Sequence, residues 1–563
     1  MQPRLSDSRL SSPAKFRLDR LDFLLLGIVL LAAIPRLYLA ATQYVEYDGY
    51  WHVFVAQQDR WRNFVWDYKH LDHPPLYMFV LRWTLWLGKS HLAYRAIPLL
   101  AGLASVVALG KVAAKMTHSK LTPPLVALAL ALALPAIVIS CEVRAYMLAS
   151  FLMLIAYTFF LDAIDREEPA GSLRPRVFFA VSAVLACLTE YCAVFFVCAL
   201  FGIGVVLPLL RRREPLLKAW AREAATFGAV FAVVALPYVK QLSGSAITKG
   251  HLLAYYYDPS GQDSRSEFLF RGLRNTFDLF SPWAAPSRSA FLVIACGLLL
   301  AVSGTLWLVR RIGEPKNAAA AATIAATVIL LIELMVASMV RLYPFGGLMR
   351  QQYFLLPFLL LCAFLLPDRL AAAIPRPAAY ALAAVLALAI AAVGYSKFEA
   401  FPKVTETLMT DQMARFNNRF PAPEAVYVDQ YNVIAFFVHH DTWKWKFIGR
   451  LTSVPNVDIY RVSRGTEQML VFRDKGRWLA DPLDPTFYDN LSECLRSKGL
   501  GSITLLRLAQ DESPWAAPEL KAYRQSILEL AGAHGLCIQD QLIHDRDVYE
   551  EFRAGNCTPP PER

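Results

Sequence analysis

The chain has 563 residues, 56% of them hydrophobic and only 18% charged, against about 25% charged in an ordinary soluble domain. The deficit falls in residues 1–396, and from 397 onward the composition is that of a soluble domain, so the sequence reads as a membrane part, 1–396, and a polar C-terminal part, 397–563. The formal net charge of +11 comes without a basic helix or an RNA-binding motif, which argues against a nucleic-acid partner and assigns the excess to cytoplasmic loops beside membrane lipids.

Residues 1–20 are polar and basic, with Lys15, Arg17 and Arg20. The apolar run that follows, 22–42, has the roughly 20 residues that cross a bilayer and is too long for a cleavable signal core. Further spans are expected at 94–112, 121–140, 146–162, 177–189, 191–209, 224–239, 288–308, 318–339, 351–366 and 377–394, eleven in all. With the N-terminus inside, the basic clusters around Arg17, Lys115, Arg174, Arg212, Arg310 and Arg369 all become cytoplasmic, as the positive-inside rule requires. The same assignment places the first loop, 43–93, and the tail from 397 outside. Residues 74–88 are apolar but short and carry Arg82. Counting them as a span would invert every later loop, so 50–64 and 74–88 read as helices on the outer interface.

The outer face then consists of the first loop, the turn at 141–145, the turn at Glu190, the loop 240–287 and the loop 340–350. The first loop begins QYVEYDGYWH, with Glu46, Asp48 and, one helical turn on, His52. Farther along, LDHPPLY sets Asp72 and His73 before a tandem Pro74–Pro75 that restricts the backbone. The turn SCEVRAYML carries Glu142, Arg144 and Tyr146. Two carboxylates from different loops on one face can place a base, an acceptor hydroxyl or a metal. Each is equally readable as a solvated loop acid or a membrane-edge ion pair. The last loop, RLYPFGGLMRQQYFLLP, brackets an aromatic, glycine-containing turn with Arg341 and Arg350 around Tyr343. Arginine suits a phosphate through its planar fork, and it also snorkels at helix ends. Lys240 opens the 240–287 loop, whose aromatic and basic residues suit a sugar phosphate or any membrane interface.

No nucleotide-binding glycine loop, HExxH or GxSxG occurs. If the chain is a transferase, its activated donor must be reachable from outside, where nucleotide sugars are scarce, and a lipid-linked phosphate meets that need. The nine cysteines form no CxxC; in an oxidising compartment the expected pair is Cys494 with Cys537, leaving Cys557. In the tail, EAVYVDQYNVIAFFV and NVDIYRV read as strands and ELKAYRQSILELAGAHG as a helix ending near Gly535, a small mixed α/β domain. His439–His440 reads as a surface pair, and CTPPPER as a disordered end.

The order of these motifs, within Glu46–His52, His73–Tyr77, Glu142–Tyr146 and Tyr343–Pro357, resembles the bacterial branch of the protein O-mannosyltransferase superfamily. That branch includes aminoarabinose transferases of lipid A and lipopolysaccharide-core glycosyltransferases. The likeness covers roughly residues 20–395. It implies a GT-C fold, mainly α, with about 11 transmembrane helices and an extracytoplasmic C-terminal α/β domain. It also implies a polyprenyl-phosphate-linked hexose or pentose donor, a lipid, lipopolysaccharide or protein acceptor, and a site on the periplasmic side of a bacterial inner membrane. Asp48 matches the family's catalytic acid/base. Gly49 stands where the family has a glutamate, and Glu46 is the acid nearby. Glu142 matches the second acidic position, and Arg350 the phosphate-binding arginine, with Arg341, Lys240 and Arg144 as further cations toward the donor phosphate. His52, His73, Tyr343 and Glu46 are the positioning candidates. Some relatives carry a divalent metal at the first acid, here Asp48, and others need none; no other cofactor follows. The competing reading is a transporter or flippase, for which Glu333 within the 318–339 span is the best residue; a membrane-anchored assembly protein is a third.

Overall fold

The computed structural model describes residues 19–43, 45, 47–57, 61, 64, 74–88, 90–165, 169–210, 214–244, 255–259, 264–280, 315–347, 349–401, 407–421, 423–429, 433, 436–437, 444–454, 457–474, 485–507, 525–526, 528–544 and 547–554. The chain forms two compact units, one of residues 1–41, 66–80 and 95–402, the other of 42–65, 81–94 and 403–563.

The first unit is helical. Among the described residues, six helices are long and apolar enough to cross a membrane: Arg20–Thr42, His91–Met116, Tyr146–Ile164, Pro315–Met339, Leu355–Ala373 and Arg376–Ala400. The pair Thr122–Leu132 and Leu134–Cys141, bent by 56°, is long and apolar enough when taken together, and Ala193–Leu209 is a shorter apolar helix. Helices Pro169–Cys187 and Glu214–Gly244 occupy two more of the expected spans. The span expected at 288–308 lies outside the described residues; every other one coincides with a helix or helix pair. The chain is a multi-pass membrane protein.

Burial follows helical spacing. In Arg20–Thr42 the buried residues are Leu25, Ala32, Arg36, Leu39 and Ala40, one stripe, while Phe23, Leu30, Ile34 and Leu37 are exposed. An apolar stripe turned outward has hydrocarbon rather than water as its natural solvent. Pro315–Met339 opens with an alanine run whose small side chains, Ala318 to Ala322, are all buried, so neighbours approach closely. Thr323 follows, sharing a 2.6 Å hydrogen bond with the Tyr157 hydroxyl. Tyr157 in turn packs with Phe160, Phe196 and Phe358 at 5.2–6.4 Å between ring centroids. At another corner Asp368, buried, accepts from the backbone amides of His118 and Ser119 and from the Thr122 hydroxyl. It thereby satisfies donors at the start of helix Thr122–Leu132.

The 56° bend has a local cause. Pro135 lacks an amide hydrogen and crowds the residue before it, and Ala133 at the break is extended (φ −65°, ψ 119°). The last carbonyls of Thr122–Leu132 then need donors. Arg36 supplies them, donating to Ala131 O at 2.6 Å and Leu130 O at 3.4 Å, and its Nε donates to Ser140 Oγ at 3.1 Å on the other half. A cation at a helix C-terminus also complements the dipole.

The second unit is built on a seven-stranded mixed sheet. The strands are β1 Ala425–Asp429, β2 Lys444–Arg450, β3 Val457–Arg464, β4 Glu467–Asp474, β5 Ser502–Arg507, β6 Leu536–His544 and β7 Asp547–Ala554, in the order β2-β3-β4-β1-β5-β7-β6. β1 runs parallel to both neighbours, β4 and β5, and the remaining pairs are antiparallel. Helix Pro485–Lys498 buries Phe487, Tyr488, Leu491, Cys494 and Leu495 in the same core as Tyr427, Ile459, Phe472 and Leu505. The strand expected from EAVYVDQYNVIAFFV ends at Asp429, and Val433, Phe436 and Phe437 are helical. The NVDIYRV strand lies within β3, and Gly535, at φ +70°, closes the expected helix.

The expected Cys494–Cys537 disulfide is absent. Cys494 is a free thiol turned into the core from its helix, and Cys537 is disulfide-bonded to a partner outside the described residues. Burial pushes the Cys494 thiol well above its usual range, with Asp474 and Glu493 adding to the rise and Lys498 opposing it. A raised folded-state pKa favours the neutral thiol, so the stability this supplies is complete below the ordinary thiol pKa and declines as pH rises above about 9. Alkylation of the native protein at pH 8 is expected to spare Cys494, with mass spectrometry finding it modified only after denaturation. Ready labelling in the folded state would contradict this burial.

Candidate active site

In the helical unit, parts of all five outer pieces expected from the sequence meet. Glu142 begins the turn after helix Leu134–Cys141, which closes through a 2.8 Å hydrogen bond from Arg144 N to Glu142 O. Its Oε2 accepts from Arg350 Nε at 3.1 Å, with the Glu142 side chain 7% exposed and that of Arg350 27%. Arg350 belongs to the short helix Met349–Gln352, so the pair joins residues 208 positions apart. In a site so largely removed from water, such a pair fixes geometry more than it adds stability. Arg144 lies over the Tyr146 ring at 5.7 Å.

Tyr77, from the HPPLY motif, is buried on helix Pro75–Thr84. Burial pushes its phenol far above the normal range; the Arg144 charge opposes this and the Glu142 charge adds to it, so both reach Tyr77. The helix start is tied down by Leu76 N donating to Leu188 O at 2.9 Å, two residues before the buried Glu190. Tyr343 donates through its hydroxyl to Gln351 O at 2.9 Å and packs edge-on to Phe195. Burial raises its phenol strongly, with Cys192 and Glu190 pushing the same way. Both phenols therefore remain protonated donors at neutral pH.

The glycines of the last loop have a steric reason. Gly346 and Gly347 hold φ of +106° and +99°, and a Cβ on Gly346 would lie 2.7 Å from the Gly272 Cα. The loop thus crosses helix Arg265–Phe280 with backbone against backbone. Gln352 secures it, accepting from Thr276 Oγ1 at 3.0 Å and Gly347 N at 3.4 Å. Arg341 has partners of its own. It is itself at φ +57°, and it donates to Tyr257 O and pairs with Asp258 at 3.0 Å, both partners of the pair about half exposed. It anchors the 257–258 segment.

Asp48 and His52 belong to the other unit. Asp48 lies in the first turn of helix Tyr47–Ala56, where the dipole favours a carboxylate. His52, buried, donates from Nδ1 to the Asp48 backbone carbonyl at 2.6 Å, so Nδ1 is the nitrogen that carries a proton here. The helix is held to the sheet. Phe54 stacks at 5.6 Å between centroids on Phe437, which is helical and itself packs on Tyr460 of β3 at 5.2 Å, and the Arg473 guanidinium of β4 lies 5.1 Å over the Trp51 ring. Within the same unit Arg82 is flanked by Trp61 at 4.7 Å and Phe64 at 5.2 Å and donates to Ala56 O at 2.9 Å.

Glu46 and His73 lie outside the described residues, as does the side chain of Lys240, whose backbone is within helix Glu214–Gly244. Among the described residues, no three His, Cys, Asp or Glu side chains gather to hold a metal. Sequence reasoning missed Arg36 and Arg95, buried guanidiniums on apolar helices; a charge inside an apolar run was the available signal. Arg95 donates from Nε to Cys141 O and from Nη1 to Ala40 O, each at 2.6 Å. Ala40 is in the last turn before the acidic first loop, and Cys141 directly precedes Glu142. Together with the Glu142–Arg350 pair, this brings the root of the first loop, the Glu142 turn and the Arg350 loop to one face of the bundle.

No family model and no curated protein matches the chain. Among solved structures it is similar to ArnT from Cupriavidus metallidurans in the apo state, at 15% identity and TM-score 0.49 over 93% of this chain and 97% of that one. It is similar to the same enzyme bound to undecaprenyl phosphate, at 16% identity, the same coverage and TM-score 0.49. It is also similar to the Archaeoglobus fulgidus oligosaccharyltransferase in complex with Zn and sulfate, at 10% identity and TM-score 0.42, over 85% of this chain and 68% of that one.

Phe437→Ala should remove the stacked support of the Asp48 helix at a cost of about 3 kcal/mol, the low end for a buried Phe→Ala change. Limited proteolysis is expected to cut within 47–65 before any strand of the sheet is lost. Unchanged resistance of that segment would mean that the sheet does not hold it.

Proposed function

We propose that the chain is a GT-C glycosyltransferase that moves a sugar from a polyprenyl-phosphate donor to an envelope acceptor on the periplasmic side of the inner membrane, by single displacement. The observation that carries the reading is the gathering at one end of the bundle: one guanidinium, Arg95, ties the root of the Asp48 loop to the residue before Glu142, and Glu142 pairs with Arg350. The charge pattern of the loops assigns that end to the non-cytoplasmic side. The disulfide at Cys537 suits a tail in an oxidising compartment.

Asp48 takes the proton from an acceptor hydroxyl or amine as that group attacks the anomeric carbon. The bond from that carbon to the phosphate oxygen breaks, and polyprenyl phosphate leaves with both electrons. A positioned base contributes roughly 10²–10⁴-fold. Arg350, its guanidinium plane set by Glu142 through Nε, stabilises the charge growing on the leaving phosphate, with Arg144 and Lys240 as further cations. Glu142 holds Arg350 and orients the acceptor, His52 and Tyr343 brace their loops, and Glu46 and His73 complete the polar surroundings. A hexose or pentose fits this chemistry equally, and so does a lipid, lipopolysaccharide or protein acceptor. A divalent ion at Asp48 would help orient the donor phosphate, but no step here requires it.

Glu333 keeps transport as the second reading. It lies within span Pro315–Met339, half-buried, with Oε2 buried and without a hydrogen-bond partner among the described residues.

Purified protein in proteoliposomes with a radiolabelled polyprenyl-phosphate sugar and an envelope extract as the source of acceptor should transfer the label and release polyprenyl phosphate, and Asp48→Asn should slow that release about 10²–10⁴-fold. Arg350→Met should slow it about 10²–10³-fold, as for loss of one oxyanion donor. Turnover near wild type in Asp48→Asn would remove that residue from the base role. Lipid translocation without cleavage would favour transport.

A further inference from the structure

Arg95 stands near the start of helix His91–Met116 and is 2% exposed. Its two 2.6 Å bonds go to carbonyls in the last turns of two different helices, Arg20–Thr42 and Leu134–Cys141. Such carbonyls have no partner within their own helix. The two ends are tied to each other as well: Cys141 Sγ donates to Arg36 O at 3.3 Å, and Arg36 Nε donates to Ser140 Oγ at 3.1 Å. Gly102, two turns on from Arg95 and so on the same helix face, allows the close approach. A Cβ there would lie 2.2 Å from Ser140 Oγ. Leu39, Ala40, Leu99, Ile137 and Cys141 close around the junction, with Phe398 and Phe401 from the end of the last span packed on them.

We propose that Arg95 is a positioning residue for the transfer reaction, setting the root of the acidic first loop and the Glu142 turn at a fixed separation. This role rests on the glycosyltransferase reading above. The guanidinium is planar and rigid, so two donors bonded to two carbonyls fix both the distance and the orientation of those carbonyls. An ammonium at the same place can reach one carbonyl at a time and imposes no plane. A shift of about 1 Å in a catalytic group can cost on the order of 100-fold in rate. Arg95 touches neither donor nor acceptor; it acts through Glu142 and through the segment leading to Asp48.

The test compares wild type, Arg95→Met, Glu142→Gln and their double variant as full chains in nanodiscs, by hydrogen exchange and by turnover of a polyprenyl-phosphate sugar. In Arg95→Met, exchange is expected to rise in 38–43 and in 141–145 together, with Thr122–Leu132 unchanged. Its kcat should fall about 100-fold while KM for the donor stays within about threefold, the pattern of lost transition-state geometry rather than lost binding. Adding Glu142→Gln should cost much less than the product of the two single losses, as for residues acting as a unit. Arg95→Lys, which keeps the charge without the fork, should show the same pattern at smaller amplitude and serves if the Met variant does not fold. A rise in only one segment, a rise throughout the bundle, or losses that multiply would overturn the proposal. Wild-type protein that turns over no polyprenyl-phosphate sugar would defeat the functional reading instead, and the paired change in exchange would still show whether Arg95 joins the two loops.

Discussion

A carbonyl stranded at a helix end inside hydrocarbon must find a donor in the protein, because no water is there to supply one. That constraint organises the described bundle. Pro135 breaks the helix that runs from Thr122 to Cys141, and Arg36 takes the carbonyls the break leaves behind. Arg95 does the same for the ends of two helices that lead into acidic loops. Guanidinium serves both places because one group offers several donors in a plane. The structural need of the backbone and the placement of the reactive loops are thus met by the same side chains.

Charge placement follows from that frame. Glu142 reaches Arg350 across 208 positions, the first standing on the turn at the end of a bent helix and the second on a short helix just after two glycines, of which Gly346 passes over Gly272. Two phenols nearby, Tyr77 and Tyr343, are held protonated, and Tyr343 braces the last loop by donating to Gln351 O. The helix carrying Asp48 depends on a different scaffold, the C-terminal sheet, through Phe437 and Arg473. This gives the tail a structural task that its sequence does not advertise.

Much of this was legible beforehand, for definite reasons. Span positions follow from apolar length, which is a bulk property of a segment. Glu142 and Arg350 were each singled out by their motifs but not as partners, because a pair 208 positions apart leaves no local signature. Arg36 and Arg95 were passed over because each is one charge in a long apolar run, and its partners are backbone carbonyls that have no sequence signature. The disulfide was misassigned because pairing depends on which way a helix turns its cysteine, and Cys494 turns into the core. The first loop read as two interfacial helices, 50–64 and 74–88; in the structure 42–65 and 81–94 group with the tail and 66–80 with the bundle, a division that ring stacking between distant aromatic residues leaves no local pattern to foretell.

Everything rests on the acidic first loop and the arginine-bearing last loop leaving the bundle on one non-cytoplasmic face. Single cysteines in place of Gln43 and Leu342, with Lys120→Cys as the opposite-face control, in a chain freed of exposed native thiols, test this most directly with a membrane-impermeant maleimide on intact cells. Positions 43 and 342 should label from outside, and position 120 only after the membrane is opened. Labelling that puts 43 and 342 on opposite sides, or both with 120, would contradict the account.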